Sequence, residues 1–220
     1  MNKKASFQKT FQQHYLSAKQ GSGKASTIAP ITIQPVTDLI AREKNIECKP
    51  GCTFCCHLRV AAYHHEVIGI FQYLIETKTE EDITATRQRI ADQYLTTKDL
   101  SPDERRAMNV ACPLLADGLC SVHPVRPLAC ASHHSTDAWL CRDAFLHPEV
   151  TEITYEHPGI PMIQSIKAKQ AEQEKAIQQD ISDQGDDPTR LELISALHTL
   201  FENPAFVGQW QVKSKNNKNE

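Results

Sequence analysis

Apolar positions recur along this chain mostly at helical spacing. Phe7, Phe11, Tyr15 and Ala18 fall at i, i+4, i+8 and i+11, which predicts an amphipathic first helix. Residues 20–30, Gln-Gly-Ser-Gly-Lys-Ala-Ser-Thr-Ile-Ala-Pro, then read as a flexible linker. The first helix is therefore expected to cover the core, or to dock loosely or on a protein partner. Pro35 to Glu47 predicts a short helix with Val36, Leu39 and Ile40 on one side. His64 to Glu76 predicts another, buried along Val67, Phe71, Leu74 and Ile75. Roughly Glu80 to Tyr94 forms a third, carrying Ile83 and Ile90 among many charges.

Ser101-Pro102-Asp103-Glu104 has the form of a helix start: a capping serine, proline at the first helical position and acidic residues in the first turn. Residues 108–135 have no clean period and hold three prolines and three cysteines, so they read as irregular chain. Asp137 to Leu146 predicts a short helix. Ile163, Ile166, Ile177 and Ile181 suit a long helix rich in Gln and Glu. Asp187-Pro188 is expected to start the last helix, with Leu191, Ile194, Leu197 and Phe201 facing inward. No internal repeat is visible. The fold class implied is mostly α, with an irregular, cysteine-rich, metal-organised core flanked by helices. The expected organisation is an amphipathic helix and linker over 1–34, a cysteine-cluster metal-binding domain over 35–150, and a helical extension with a disordered tail over 151–220.

Composition narrows the function classes. Apolar residues make up 40% of the 220, enough for a modest core, and only 8 are glycine, which disfavours an all-β design. The formal net charge is -3, so no global positive field exists to hold nucleic acid. The basic N-terminus (Lys3, Lys4, Lys9, Lys19, Lys24) and the polar tail from Lys213 read as solvated ends. No export signal and no membrane-spanning apolar run are visible, so a cytoplasmic location is expected. In a reducing compartment eight thiols do not form a stable disulfide framework. Metal ligation, redox chemistry or buried packing then account for them.

The cysteines are clustered. The first group is Cys48-Lys-Pro-Gly-Cys52-Thr-Phe-Cys55-Cys56; the second is Cys112, Cys120 and Cys130; Cys141 follows in the next predicted helix. Cys52 and Cys55 stand in C-x2-C, which lets a tight turn aim two thiolates at one ion about 2.3 Å from each sulfur. Pro50-Gly51 supplies a turn before that pair, and Asp117-Gly118 folds Cys112 back towards Cys120. A four-thiolate site needs two such pairs brought together, and the two groups can provide them. Eight thiols suffice for two four-cysteine sites, or for one iron–sulfur cluster with spare residues. Adjacent Cys55 and Cys56 are awkward for one mononuclear site, because neighbouring side chains diverge; one of them is free to face a second metal or the core. Soft thiolates select zinc, copper(I) or iron–sulfur over magnesium or calcium. Cys130-x2-His133 also has ligand spacing, and His57, His64, His65 and His134 lie near cysteines or begin a helix.

These residues resemble the YkgJ-type cysteine-cluster family, whose hallmark is C-x3-C-x2-C-C and which is described as a zinc- or iron-chelating domain. Cys48, Cys52, Cys55 and Cys56 match that hallmark. Cys112-Pro113-Leu114-Leu115, Gly118-Leu119-Cys120 and Arg126-Pro127-Leu128-Ala129-Cys130 look like its downstream segments, in order. The resemblance covers roughly residues 45–135 and implies a metal-binding protein holding zinc or iron, including an iron–sulfur cluster. Many members carry Arg after the last of these cysteines, whereas Ala131 stands here. Members are often labelled iron–sulfur oxidoreductases, and flagellin lysine methylases carry a similar cluster. A second pattern, Cys48-x3-Cys52-x-Phe54-Cys55, also fits the cluster motif of radical S-adenosylmethionine enzymes. Those enzymes show repeated βα units, and few β-branched runs occur here. No serine triad, phosphate-binding glycine loop or HExxH sequence points to another chemistry. The ligand set read from the sequence is Cys48, Cys52, Cys55, Cys56, Cys112, Cys120, Cys130 and Cys141.

Overall fold

A computed structural model describes residues 3–150, 154 and 157–212. The polar tail from Lys213 lies outside the described residues. The fold is mostly α. Its helices are α1 (Lys3–Lys19), α2 (Ala29–Arg42), α3 (His64–Thr77), α4 (Glu80–Thr97), α5 (Pro102–Arg106), α6 (Leu128–Ser132), α7 (Ala138–Leu146), α8 (Gln164–Asp183), α9 (Leu193–Glu202) and α10 (Phe206–Val212). Among the described residues, four two-residue strands pair antiparallel. β1 (Ala61–Ala62) lies against β4 (Leu191–Glu192), and β2 (Leu115–Ala116) against β3 (Leu119–Cys120).

The first helix follows its pattern. Phe11, Tyr15 and Ala18 are buried in the same hydrophobic cluster as Ile28, Val36, Ile68, Ile177 and Leu197. Lys19 fastens its C-terminal end. The ammonium is buried, donates to Asp186 Oδ1 at 2.7 Å and to the Trp210 carbonyl, and lies 4.7 Å from the Trp210 ring centroid. Burying that charge requires such a full set of partners.

Residues 20–30 are not the linker the sequence predicts. Ala25–Thr27 form a 3-10 turn, Ala25 and Ile28 are buried, and α2 starts at Ala29. Pro30 sits in the first turn of α2, where its missing N–H costs nothing, and Pro35 is inside the helix rather than at its start. Gly69 explains the close docking. A Cβ at this position would stand 3.0 Å from the Ala25 carbonyl oxygen, so only glycine lets α3 meet the turn.

The C-terminal half departs in two places: α10 follows the helix expected to be the last, and that helix itself starts late. Leu191 is in β4, and α9 begins only at Leu193, after Glu192 caps it by accepting from Ser195 N at 2.8 Å. Asp187-Pro188 therefore precedes a strand. The inward residues Ile194, Leu197 and Phe201 are buried as the spacing predicts. α4 packs on α9, α3 on α9, and α2 on α6 and α8. This scaffold frames the irregular chain at 43–60 and the segment 107–137, which the sequence predicts as irregular but which carries the β2–β3 hairpin and α6.

Candidate metal centre

No side chain between Val36 and Ala62 is buried, yet this stretch holds four of the eight cysteines. Local hydrogen bonds shape it. Cys52 N donates to Lys49 O at 3.0 Å across Pro50-Gly51, and Gly51 has φ +86, the arrangement of a type II turn. A 3-10 turn over Phe54–His57 then carries Cys55 and Cys56.

Two straps tie this stretch to distant chain. At its centre, Cys112 N donates to Cys56 O at 2.7 Å, laying the second cysteine group along the first. The β2–β3 hairpin then turns at Asp117 and Gly118, both with positive φ, and sets Cys120 opposite Leu115. At the N-terminal end, Glu47 N donates to Ser135 O at 3.0 Å, and Glu47 Oε2 accepts from Ala138 N at 2.7 Å. That strap brings Cys48 to the start of α7, which Asp137 caps through Leu140 N at 3.0 Å. Cys141 is buried on α7, one turn beyond that cap. Phe145 of α7 closes over the 3-10 turn, with ring centroids 5.6 Å from Phe54 and 4.8 Å from His57.

Cys130 rides on α6, whose start is held by a buried carboxylate. Glu66 accepts from Leu128 N at 2.7 Å and from Tyr63 N at 2.9 Å. Burial nevertheless pushes its carboxyl up to about 7, against those two donors.

All eight cysteines are free thiols. Desolvation raises Cys112 to about 12, and the charges of Cys120 and Cys56 add to it. Desolvation likewise raises Cys130, with Cys112, Cys120 and Cys56 pushing the same way, and Cys120, with Cys56 adding. Cys48 is raised by partial desolvation and by Cys52; Cys141 is raised by burial, then by Cys48 and Cys52. The adjacent thiols act on each other in opposite directions: their interaction lowers Cys56 and raises Cys55, so Cys56 ionises first. Cys55 also feels Cys130 and Cys48. Arg126 is the counter-charge. Its guanidinium, partly stripped of water, is held in its charged form by Cys120, Cys130 and Cys55, and it donates to the His123 carbonyl at 2.6 Å.

The histidines divide. His134 is occupied at both ring nitrogens, by Ser132 O at 2.7 Å and Ile163 N at 2.8 Å. His57 Nδ1 pairs with Thr53 O, and His64 stacks on Phe206. His65 lies among Phe11, Tyr15 and Tyr63 with both ring nitrogens unpaired. His133 keeps a buried Nε2 without a hydrogen-bond partner. Glu47, Glu66 and Ser135 carry no motif that sequence reading could have used. Arg126 does, within Arg-Pro-x-x-Cys.

Among the described residues, no three His, Cys, Asp or Glu side chains are arranged to hold a metal ion. The structure shows thiol neighbourhoods, not finished coordination. The donor chemistry still fits a soft metal: free thiols, no disulfide, and chain segments that bring them together.

A helical scaffold carrying clustered free thiols on strapped irregular chain defines a cysteine-cluster protein. Residues 47–156 match the CxxCxxCC family, described as a putative zinc- or iron-chelating domain, and the chain belongs to that family. No curated protein and no solved structure matches the chain. No helix among the described residues is long and apolar enough to cross a membrane.

Proposed function

We propose that this protein binds zinc or iron, the latter including an iron–sulfur cluster, through Cys48, Cys52, Cys55, Cys56, Cys112, Cys120, Cys130 and Cys141. The observation that carries the reading is the strapping of residues 47–56 onto the Cys112 and Ser135–Ala138 segments, in a stretch with no buried side chain of its own. Chain of that kind is ordered by ligation rather than by apolar packing. The metal supplies cross-linking of the two segments and, if iron–sulfur, electron transfer. The residues of this chain supply eight thiols, and Arg126 offsets part of their charge. In this reading 35–150 is the functional unit and the terminal helices are its scaffold. Eight free thiols suit a reducing cytoplasm, and the net charge of -3 gives no electrostatic basis for nucleic acid.

Anaerobic purification with metal analysis and a visible spectrum tests this. Brown protein with sulfide-to-iron charge-transfer absorption assigns an iron–sulfur centre, and the redox reading follows from it. Colourless protein with stoichiometric zinc assigns a structural or storage role. Protein that holds neither metal, and takes up neither, overturns the proposal.

A further inference from the structure

A cleft of about 290 Å³ opens between α3, α9 and α10. Its floor is apolar: Val67, Ile68 and Leu200 are buried there, and Phe206 of α10 closes one side. The Phe206 ring stacks on that of His64, with 6.5 Å between centroids and 16° between planes. The same two rings wall a second hollow of about 100 Å³, which Lys19, Asp186, Asp187 and Trp210 also line. Backbone pairing sets the polar rim of the larger cleft. β4 pairs with β1, Leu193 N donates to Val60 O at 3.0 Å, and Glu192 caps α9 through a single carboxylate oxygen, Oε2. Glu192 Oε1 and the Ser195 hydroxyl make no hydrogen bond among the described residues, and both residues line the cleft.

Acceptors outnumber donors around these hollows. Three carboxylates, Glu192, Asp186 and Asp187, stand against one lysine. The Lys19 ammonium is already held by Asp186 at 2.7 Å and by the Trp210 carbonyl. Arg105 is in electrostatic reach of Glu192, but it lines neither hollow and its guanidinium donates to the Met108 and Val110 carbonyls. Arg190 is paired with Glu174 at 3.1 Å. Lys19 itself displays the preference of this end of the molecule: an ammonium seated against a carboxylate, 4.7 Å from the centroid of a tryptophan ring.

We infer that the cleft binds a small protonated amine on an apolar body, an alkylamine or arylalkylamine. The body lies on Val67, Ile68 and Leu200, and the ammonium donates to Glu192 and Ser195. Apolar walls with a few placed polar groups are the usual make-up of a small-ligand pocket, and the volume sits at the low end of the roughly 300–1,000 Å³ such pockets span. A surplus of carboxylates selects a cation and repels an acid. The assignment goes beyond metal binding and does not depend on it.

The test adds hexylammonium chloride to the full, nitrogen-15-labelled chain at about pH 7, where the amine is protonated. Amide shifts are followed by NMR, with hexanol and sodium hexanoate as neutral and anionic controls of equal length. Saturable shifts at Ile68, Ser195 and Leu200 are expected, with hexanol binding about tenfold more weakly than the amine, the scale of a lost charge-assisted hydrogen bond, and hexanoate more weakly still. Glu192→Gln keeps an oxygen to cap α9 and removes the charge, so amine affinity should fall about tenfold while hexanol affinity holds. Ser195→Phe fills the cleft and should abolish binding of both, with circular dichroism checking that the helices persist. Amine shifts that are absent, that fall outside the cleft, or that survive unchanged in Ser195→Phe overturn the site. Hexanoate or hexanol binding as tightly as the amine overturns the ligand class, as does unchanged amine affinity in Glu192→Gln. That last measurement decides the matter if Ser195→Phe does not fold.

Discussion

Two regions of this molecule are held by different physics. The scaffold is fastened by burial: Phe11, Ile28, Val36, Ile70, Leu74, Ile177 and Leu197 are wholly enclosed. The cysteine stretch between Val36 and Ala62 encloses no side chain, and its backbone is tied down by a few hydrogen bonds to residues 112 and 135–138. Apolar burial contributes roughly 25 cal/mol per Å², so the first region is stable by its own composition. The second has no comparable source of stability within the polypeptide. In the proposed reading the thiol region depends on ligation, so damage to the two regions should be separable.

The largest effect expected is from metal removal. Structural zinc sites contribute on the order of 10 kcal/mol. A chelator should open residues 43–60 to hydrogen exchange while α3 and α9 stay protected. Uniform exchange along the chain would erase the contrast. Next is a cavity in the scaffold. Leu197→Ala, at a site with 0% exposure, should cost about 3 kcal/mol in urea unfolding and leave the metal count unchanged. A variant that sheds its metal as a folded protein would show that the regions are coupled.

A smaller effect separates them by pH. His65 is fully buried with its pKa lowered to about 3, chiefly by desolvation. The unfolded chain takes up this proton below pH ~6.5 and the native one does not. Stability from this group is therefore complete above about pH 6.5 and falls by roughly 1.4 kcal/mol per unit as pH drops towards 3. Urea titrations of wild type and His65→Phe should diverge with that slope, the variant gaining relative stability in acid. Parallel curves would place the ring in contact with water. Smallest is the exposed pair Arg87–Glu202, 3.0 Å apart with both side chains about half exposed. Arg87→Ala should change stability by less than about 1 kcal/mol, and less again in high salt.

Much of the scaffold was legible because helical period reports burial directly. Phe11, Tyr15, Leu197 and Phe201 sit where their spacing puts them. The errors come from residues whose meaning depends on distant partners. Pro35 and Pro188 look like helix starts, but Ala25 and Ile28 are pulled into the core and draw α2 forward to Ala29. Leu191 pairs with Ala62 across the sequence, which delays α9. Lys19 reads as a solvated charge and is buried, because Asp186 and Trp210 are supplied from the far end of the chain. The cysteine motif announced its chemistry through spacing alone. Which thiols are neighbours depends on the Cys56–Cys112 and Glu47–Ser135 hydrogen bonds, and no local pattern encodes those.

The most direct test of the account is site-resolved alkylation of the reduced, full-length protein, with and without one of zinc or iron bound. Ligation predicts that all eight thiols are protected together in the loaded protein and that chelation exposes Cys48 first, then the half-buried Cys52, Cys56 and Cys120, with the helical circular dichroism largely retained. Identical labelling of these cysteines in loaded and chelated protein would contradict it.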